Sequence, residues 1–197
     1  TSLMLTDILY TMPKRITKIG RGFRTTWDGR QRSEHWLISN QVYFITARCR
    51  DRFAAFASEA AKSVFWDRFE HYASEFTFTP WVTSLLDNHY HTLGYLKIGN
   101  YLPKMMQRLH GSTAKLVNDL LDERRPNFYR DAKGREYFDG CIRDEKQARR
   151  AFKYTLQQGV RHGIVNDWRD YPHTRVNVEL EVAIKRANQL GAFLEGI

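Results

Sequence analysis

Thr79-Pro-Trp-Val-Thr-Ser-Leu-Leu-Asp-Asn-His-Tyr-His-Thr-Leu-Gly-Tyr-Leu-Lys97 holds two strand-like runs on either side of Asp87-Asn88. Asp and Asn bond their own backbone and tolerate left-handed conformations, so the dipeptide reads as a turn. Thr79–Leu86 and His89–Lys97 are therefore expected to pair as an antiparallel hairpin. Successive side chains on a strand alternate faces, which puts His89 and His91 together on one face and Tyr90 on the other.

Upstream, Gln41-Val-Tyr-Phe-Ile-Thr-Ala-Arg-Cys49 is β-branched and aromatic, as a buried strand requires. From Asp51 to about Tyr72, Phe53, Phe56, Ala60, Val64, Phe65 and Phe69 recur at helical spacing. Downstream of Gly99-Asn100 a second helical pattern runs from about Tyr101 to Leu121, with Leu102, Met105, Met106, Leu109, Leu116, Val117 and Leu120 on its apolar side and Gly111 as a candidate interruption. Phe128–Tyr129, a turn at Asp131-Ala-Lys-Gly134 and Arg135–Ile142 read as a hairpin or a loop and strand, and a further helix starts near Asp144. The order strand, helix, strand, strand, helix, strand, helix predicts an α+β fold, an antiparallel sheet packed by helices in the ferredoxin-like manner. Residues 39–175 form the expected domain. A basic arm, residues 1–38, precedes it, and residues 176–197, with a helix at about Asn177–Leu194 after the Pro172 break, lie outside the core pattern.

The 197 residues carry a formal charge of +9, which attracts polyanions, nucleic acid foremost. No apolar run reaches the ~20 residues of a membrane span, and the reading is of a soluble, cytoplasmic protein. Cys49 and Cys141 form no Cys-x-x-Cys pair, which argues against a disulfide framework or a thiolate zinc site.

Two imidazoles on one strand face are a metal-site signal that chance also produces. The helix after Asp144 sharpens it. Ala148, Ala151, Phe152 and Thr155 form its apolar side, and Arg150, Tyr154 and Gln158 fall at four-residue steps on one stripe. A tyrosine that attacks a phosphodiester needs a Lewis acid on the phosphate oxygens, and an amide one turn away can complete the metal shell. Two imidazoles with a neutral amide oxygen suit Mg²⁺ or Mn²⁺, the latter binding tighter. Taken singly, Tyr154 also reads as an amphipathic tyrosine at a helix–sheet boundary, and Gln158 as a solvated helix position. Arg150, Lys153 and Arg48, with Arg21 and Arg24 in the arm, are the candidate DNA contacts.

Leu85-Leu-Asp-Asn-His-Tyr-His-Thr-Leu93 resembles the strand motif Pro-Asn-His-x-His of the REP-associated tyrosine transposases, single-tyrosine endonucleases of the His-hydrophobic-His class; Asp87 replaces the usual proline. Phe152-Lys-Tyr-Thr-Leu-Gln-Gln-Gly-Val-Arg-His-Gly-Ile-Val165 is similar to the family's Tyr-Ile-x-x-Asn-Pro-Val-x-x-Gly-Leu-Val, and Asp170-Tyr-Pro-His-Thr174 to its Asp-Tyr-Pro-Trp-Ser ending. The similarity spans about residues 40–175. It implies Tyr154 as nucleophile and His89, His91 and Gln158 as metal ligands, with Gln157 the alternative amide because Gln158-Gly159 stands where the family has Asn-Pro. It further implies cleavage and rejoining of single-stranded or hairpin DNA through a 5′-phosphotyrosine, by a monomer or homodimer. A rolling-circle initiator or relaxase, and a non-catalytic nucleic-acid binder on the same fold, are the competing readings.

Overall fold

The computed structural model describes residues 37–126, 128–129 and 136–194, and the backbone of two short strands, Arg15–Ile16 and Thr25–Thr26, which pair antiparallel. Arg21, Arg24 and the expected turn at 131–134 lie outside the described residues.

β1 (Gln41–Arg48) leads through a short 3₁₀ turn at Arg50–Arg52 to α1 (Glu59–Glu75), then to the hairpin of β2 (Phe78–Leu85) and β3 (His89–Leu96). α2 (Tyr101–Asn118), β4 (Phe138–Cys141) and α3 (Glu145–Leu156) follow. The single turn of α4 (Gln158–Arg161), β5 (Thr174–Val176) and α5 (Leu180–Leu190) complete the order. The sheet runs β4-β1-β3-β2-β5, antiparallel throughout. Its first four strands have the ferredoxin-like order, so the expected α+β architecture is present. β5 extends it at the β2 edge through Val82 opposite Val176 and a 2.8 Å hydroxyl contact between Ser84 and Thr174.

Helices cover both faces. Tyr43, Ile45, Ala47, Tyr90 and Leu96 pack under α1 and α2 in one apolar cluster. Val42, Phe44, Val82 and Leu93 pack under α3 and α5 in another, which includes Ala148, Ala151 and Phe152 of α3 and Ala183 and Ala187 of α5. The last helix, expected outside the core pattern, thus buries part of the sheet. Its C-terminal segment also caps β1, where the Val42 N–H donates to the Ala192 carbonyl at 3.0 Å.

Three expectations need correction. The first helix begins at Glu59, capped by the Ser58 side chain, which accepts from the Ala61 N–H at 3.2 Å. Asp51 and Arg52 sit at φ 54° and 57°, which a right-handed α-helix does not accommodate. Phe56 matched the helical period because it is buried, but it is buried from a loop. Gly111 does not interrupt α2; a Cβ there would face open space. Leu116 and Leu120, assigned to the apolar side of that helix, are 39% and 51% exposed.

Candidate active site

β3 delivers His89 and His91 to the face covered by α3, while Tyr90 turns to the α1 face. The two imidazole centroids are 5.2 Å apart with near-perpendicular rings. Asp144 caps α3, its carboxylate accepting from the Gln147 N–H at 2.6 Å, and the buried Ala148, Ala151 and Phe152 press the helix onto the sheet. That seating places the Tyr154 ring edge-on to His91 at 5.2 Å, with Phe44 stacked on His91 at 5.8 Å.

Gln158, 1% exposed, stands one turn beyond Tyr154 and reaches the side chains of both His89 and Tyr154. Its Nε2 donates to the Tyr154 carbonyl at 2.9 Å, and Oε1 is the amide atom with a lone pair to offer a metal. Each imidazole uses Nδ1 on the protein: His89 on Asn88 Oδ1 at 2.6 Å, His91 on Thr46 Oγ1 at 2.7 Å. Nε2 is then the nitrogen of each ring left for other chemistry. Burial drives the His89 pKa down to about 3, helped by Arg48 and His162, and burial likewise holds His91 well below the usual imidazole value. Both rings are therefore neutral ligand-type imidazoles at pH 7. A neutral imidazole offers the lone pair of one ring nitrogen, and the neighbouring Gln158 amide oxygen is a second neutral donor of the kind a divalent cation accepts. This donor set fits a divalent metal. Among the described residues no three His, Cys, Asp or Glu side chains gather into a ligand set.

The Tyr154 hydroxyl is pushed up by burial, against which Gln158, Arg161 and Arg48 act. The Arg161 guanidinium lies 5.1 Å from the Tyr154 ring centroid, and the exposed His162 ring is 5.1 Å from His89. Of the candidate DNA contacts, Arg48 acts electrostatically on His89, His91 and Tyr154. Arg150 and Lys153 are exposed on α3. The stripe Arg150–Tyr154–Gln158 thus turns only its last two members inward, and Arg161 is the guanidinium at the tyrosine.

Sequence reasoning did not single out Thr46, Arg161 or His162, and it read Asn88 as turn chemistry and as the Asn of the resembled motif, without a role at the site. Thr46 becomes a partner of His91 only through the register of β1 on β3, where the two stand opposite each other. Gly159 follows Gln158 directly. A Cβ there would come within 2.9 Å of the Tyr171 ring, whose hydroxyl donates to the Leu85 carbonyl at 2.7 Å. Close approach, not flexibility, is what this glycine supplies, and it holds Gln158 against the sheet.

No family model and no curated protein matches the chain. Among solved structures, a REP-associated tyrosine transposase bound to a REP hairpin superposes with a TM-score of 0.55 at 16% identity, over 74% of this chain and 82% of that one. The two share a fold. A candidate transposase from Deinococcus radiodurans aligns over 68% of this chain and 95% of its own, at 13% identity and a TM-score of 0.43. Among the described residues no helix is long and apolar enough to cross a membrane.

Proposed function

We propose that the protein is a metal-dependent, single-tyrosine DNA transposase or endonuclease acting on single-stranded or hairpin DNA. One observation carries the reading: Tyr154 stands edge-on to His91 at 5.2 Å, with Gln158 reaching both His89 and Tyr154, on a fold shared with a tyrosine transposase. The hairpin in that structure belongs to that protein; for this chain hairpin DNA is the substrate we propose. The basic charge of +9 agrees with a nucleic-acid partner.

In this reading Tyr154 Oη attacks a backbone phosphorus in line with the 3′ oxygen. The Oη–P bond forms and the P–O3′ bond breaks, the phenol gives up its proton, and the departing 3′ oxygen gains one. The products are a 5′-phosphotyrosine and a free 3′-OH, and rejoining is the same exchange in reverse. His89, His91 and the Gln158 amide would hold Mg²⁺ or Mn²⁺, which supplies Lewis-acid polarisation of the phosphate. Arg161 and Arg48 add positive charge beside the phenol, which favours both phosphate binding and phenolate character. Phe44 and the buried face of α3 restrict the motion of the Tyr154 ring and so fix its line of attack.

The test is incubation with labelled hairpin DNA and Mn²⁺, with and without EDTA, followed by denaturing gels and peptide mapping. A covalent adduct on Tyr154 that EDTA prevents is expected. Tyr154→Phe should keep DNA binding and lose the adduct; cleavage by this variant at the wild-type rate would remove Tyr154 as nucleophile. Tight binding without an adduct across a varied hairpin library would favour a non-catalytic binder.

A further inference from the structure

The turn that precedes His89 is tied down at every residue. The Leu86 N–H donates to the His89 carbonyl at 2.8 Å and closes it, the Phe56 N–H donates to the Asp87 carbonyl at 2.8 Å, and the Cys49 N–H donates to the Asn88 carbonyl at 2.7 Å. Lys62, only 6% exposed, reaches from α1 to the Asp87 carboxylate at 3.1 Å. An ion pair thus restrains the position where the related motif carries a rigid proline.

What remains is the Asn88 side chain, and both its ends are committed. Its Nδ2 donates to the Arg52 carbonyl at 3.0 Å and its Oδ1 faces His89 Nδ1 at 2.6 Å. The Arg52 carbonyl can only accept, so it decides which way round the amide lies. That carbonyl is aimed from a backbone in which Asp51 and Arg52 both take positive φ, each at a cost of about 1 kcal/mol or more for a non-glycine residue. With Oδ1 an acceptor, a neutral His89 must carry its proton on Nδ1, and the lone pair then sits on Nε2, the nitrogen turned away from Asn88.

We propose that Asn88 is a positioning residue that fixes His89 as the Nδ1–H tautomer, through an amide oriented by the Arg52 carbonyl. Asn88 touches neither phosphate nor metal in this arrangement. Its use to the reaction rests on the proposed metal role of His89: the wrong tautomer would present an N–H where a lone pair is needed. The same logic explains why an Asn, and not merely a turn-former such as Gly, stands at this position.

The experiment uses the full chain labelled with ¹⁵N, in EDTA at pH 7, with the His89 ring signals identified by their loss in His89→Gln. Long-range proton–nitrogen correlations should show the proton on Nδ1. In Asn88→Ala the tautomers should mix or reverse, and Mn²⁺ affinity, followed by loss of the free-ion EPR signal, should fall at least ~10-fold. Asn88→Asp, which restores the acceptor, should recover the Nδ1–H form and Mn²⁺ affinity to within about threefold. A wild-type proton on Nε2 would overturn the proposal, and that measurement stands even if Asn88→Ala fails to fold. So would an unchanged tautomer in a folded Asn88→Ala. The metal reading is tested separately by His91→Ala: Mn²⁺ binding that survives this change unaltered would sink the metal site while leaving the tautomer result to judge Asn88.

Discussion

At the scale of the residue, neutrality of the two histidines has a measurable consequence. The ordinary imidazole value is 6.5, and in the folded protein His89 lies near 3, with His91 also depressed, burial being the first cause for both. Between about pH 6.5 and 3 the unfolded chain binds protons that the folded chain refuses. Stability from His89 is therefore complete above pH 6.5 and lost as the pH falls toward 3, by up to ~1.4 kcal/mol per pH unit, and His91 adds a loss of the same sign below pH 6.5. Urea titrations in EDTA at pH 6.5, 5.5 and 4.5 should show His89→Gln losing less stability per unit than wild type, by about one proton; equal slopes would mean that His89 is not buried neutral. His89, His91, Tyr154 and Gln158 were legible because strand and helix periodicities place each pair without knowledge of the rest. Thr46, Arg161 and His162 were not, since they meet the site only through strand register and the turn of chain after α3. Arg150 shares the stripe but is exposed, because a stripe on a helix wraps from sheet to solvent and nothing in the spacing says where burial ends.

At the scale of the element, α3 and α4 work as one anchored arm. Gly159 lets the chain pass against Tyr171, and Tyr171 is tethered to β2 through the Leu85 carbonyl. Gly159→Ala must displace that ring, and overpacking of this kind costs about 1–3 kcal/mol. Chemical denaturation should register the loss, and adduct formation should fall further than stability alone explains because Gln158 moves with the backbone. A fully stable and active Gly159→Ala would show that the contact is loose. The longer elements were mostly legible, with errors at their ends. Phe53 and Phe56 continue the helical spacing of α1 upstream of its start, but the cap at Ser58 and the left-handed Asp51 and Arg52 terminate it, and backbone conformation leaves little trace in hydrophobic spacing.

At the scale of the whole molecule, the sheet is buried on both sides, so β1 is buried along nearly its whole length and does not alternate. The order of elements could be read from the chain, but not which helix covers which face. β5, three residues long, escaped notice because a strand that short has no period. One face is given to the candidate chemistry, the other to an aromatic mass in which Tyr90 packs against Phe65 at 4.8 Å and Phe69 at 6.4 Å, its hydroxyl 3.0 Å from His110 Nε2. Tyr90 is also the residue between the two histidines. A screen for variants that work when cool and fail when warm should therefore find its hits behind the sheet, at Tyr90, Phe65 and His110, on the face opposite the candidate site. Tyr90→Phe, which leaves His110 short of a partner at a cost of about 1–3 kcal/mol, should cleave normally at low temperature and stop several degrees before the protein melts. Loss of activity only at the melting point would mean that the back of the strand does not govern its front.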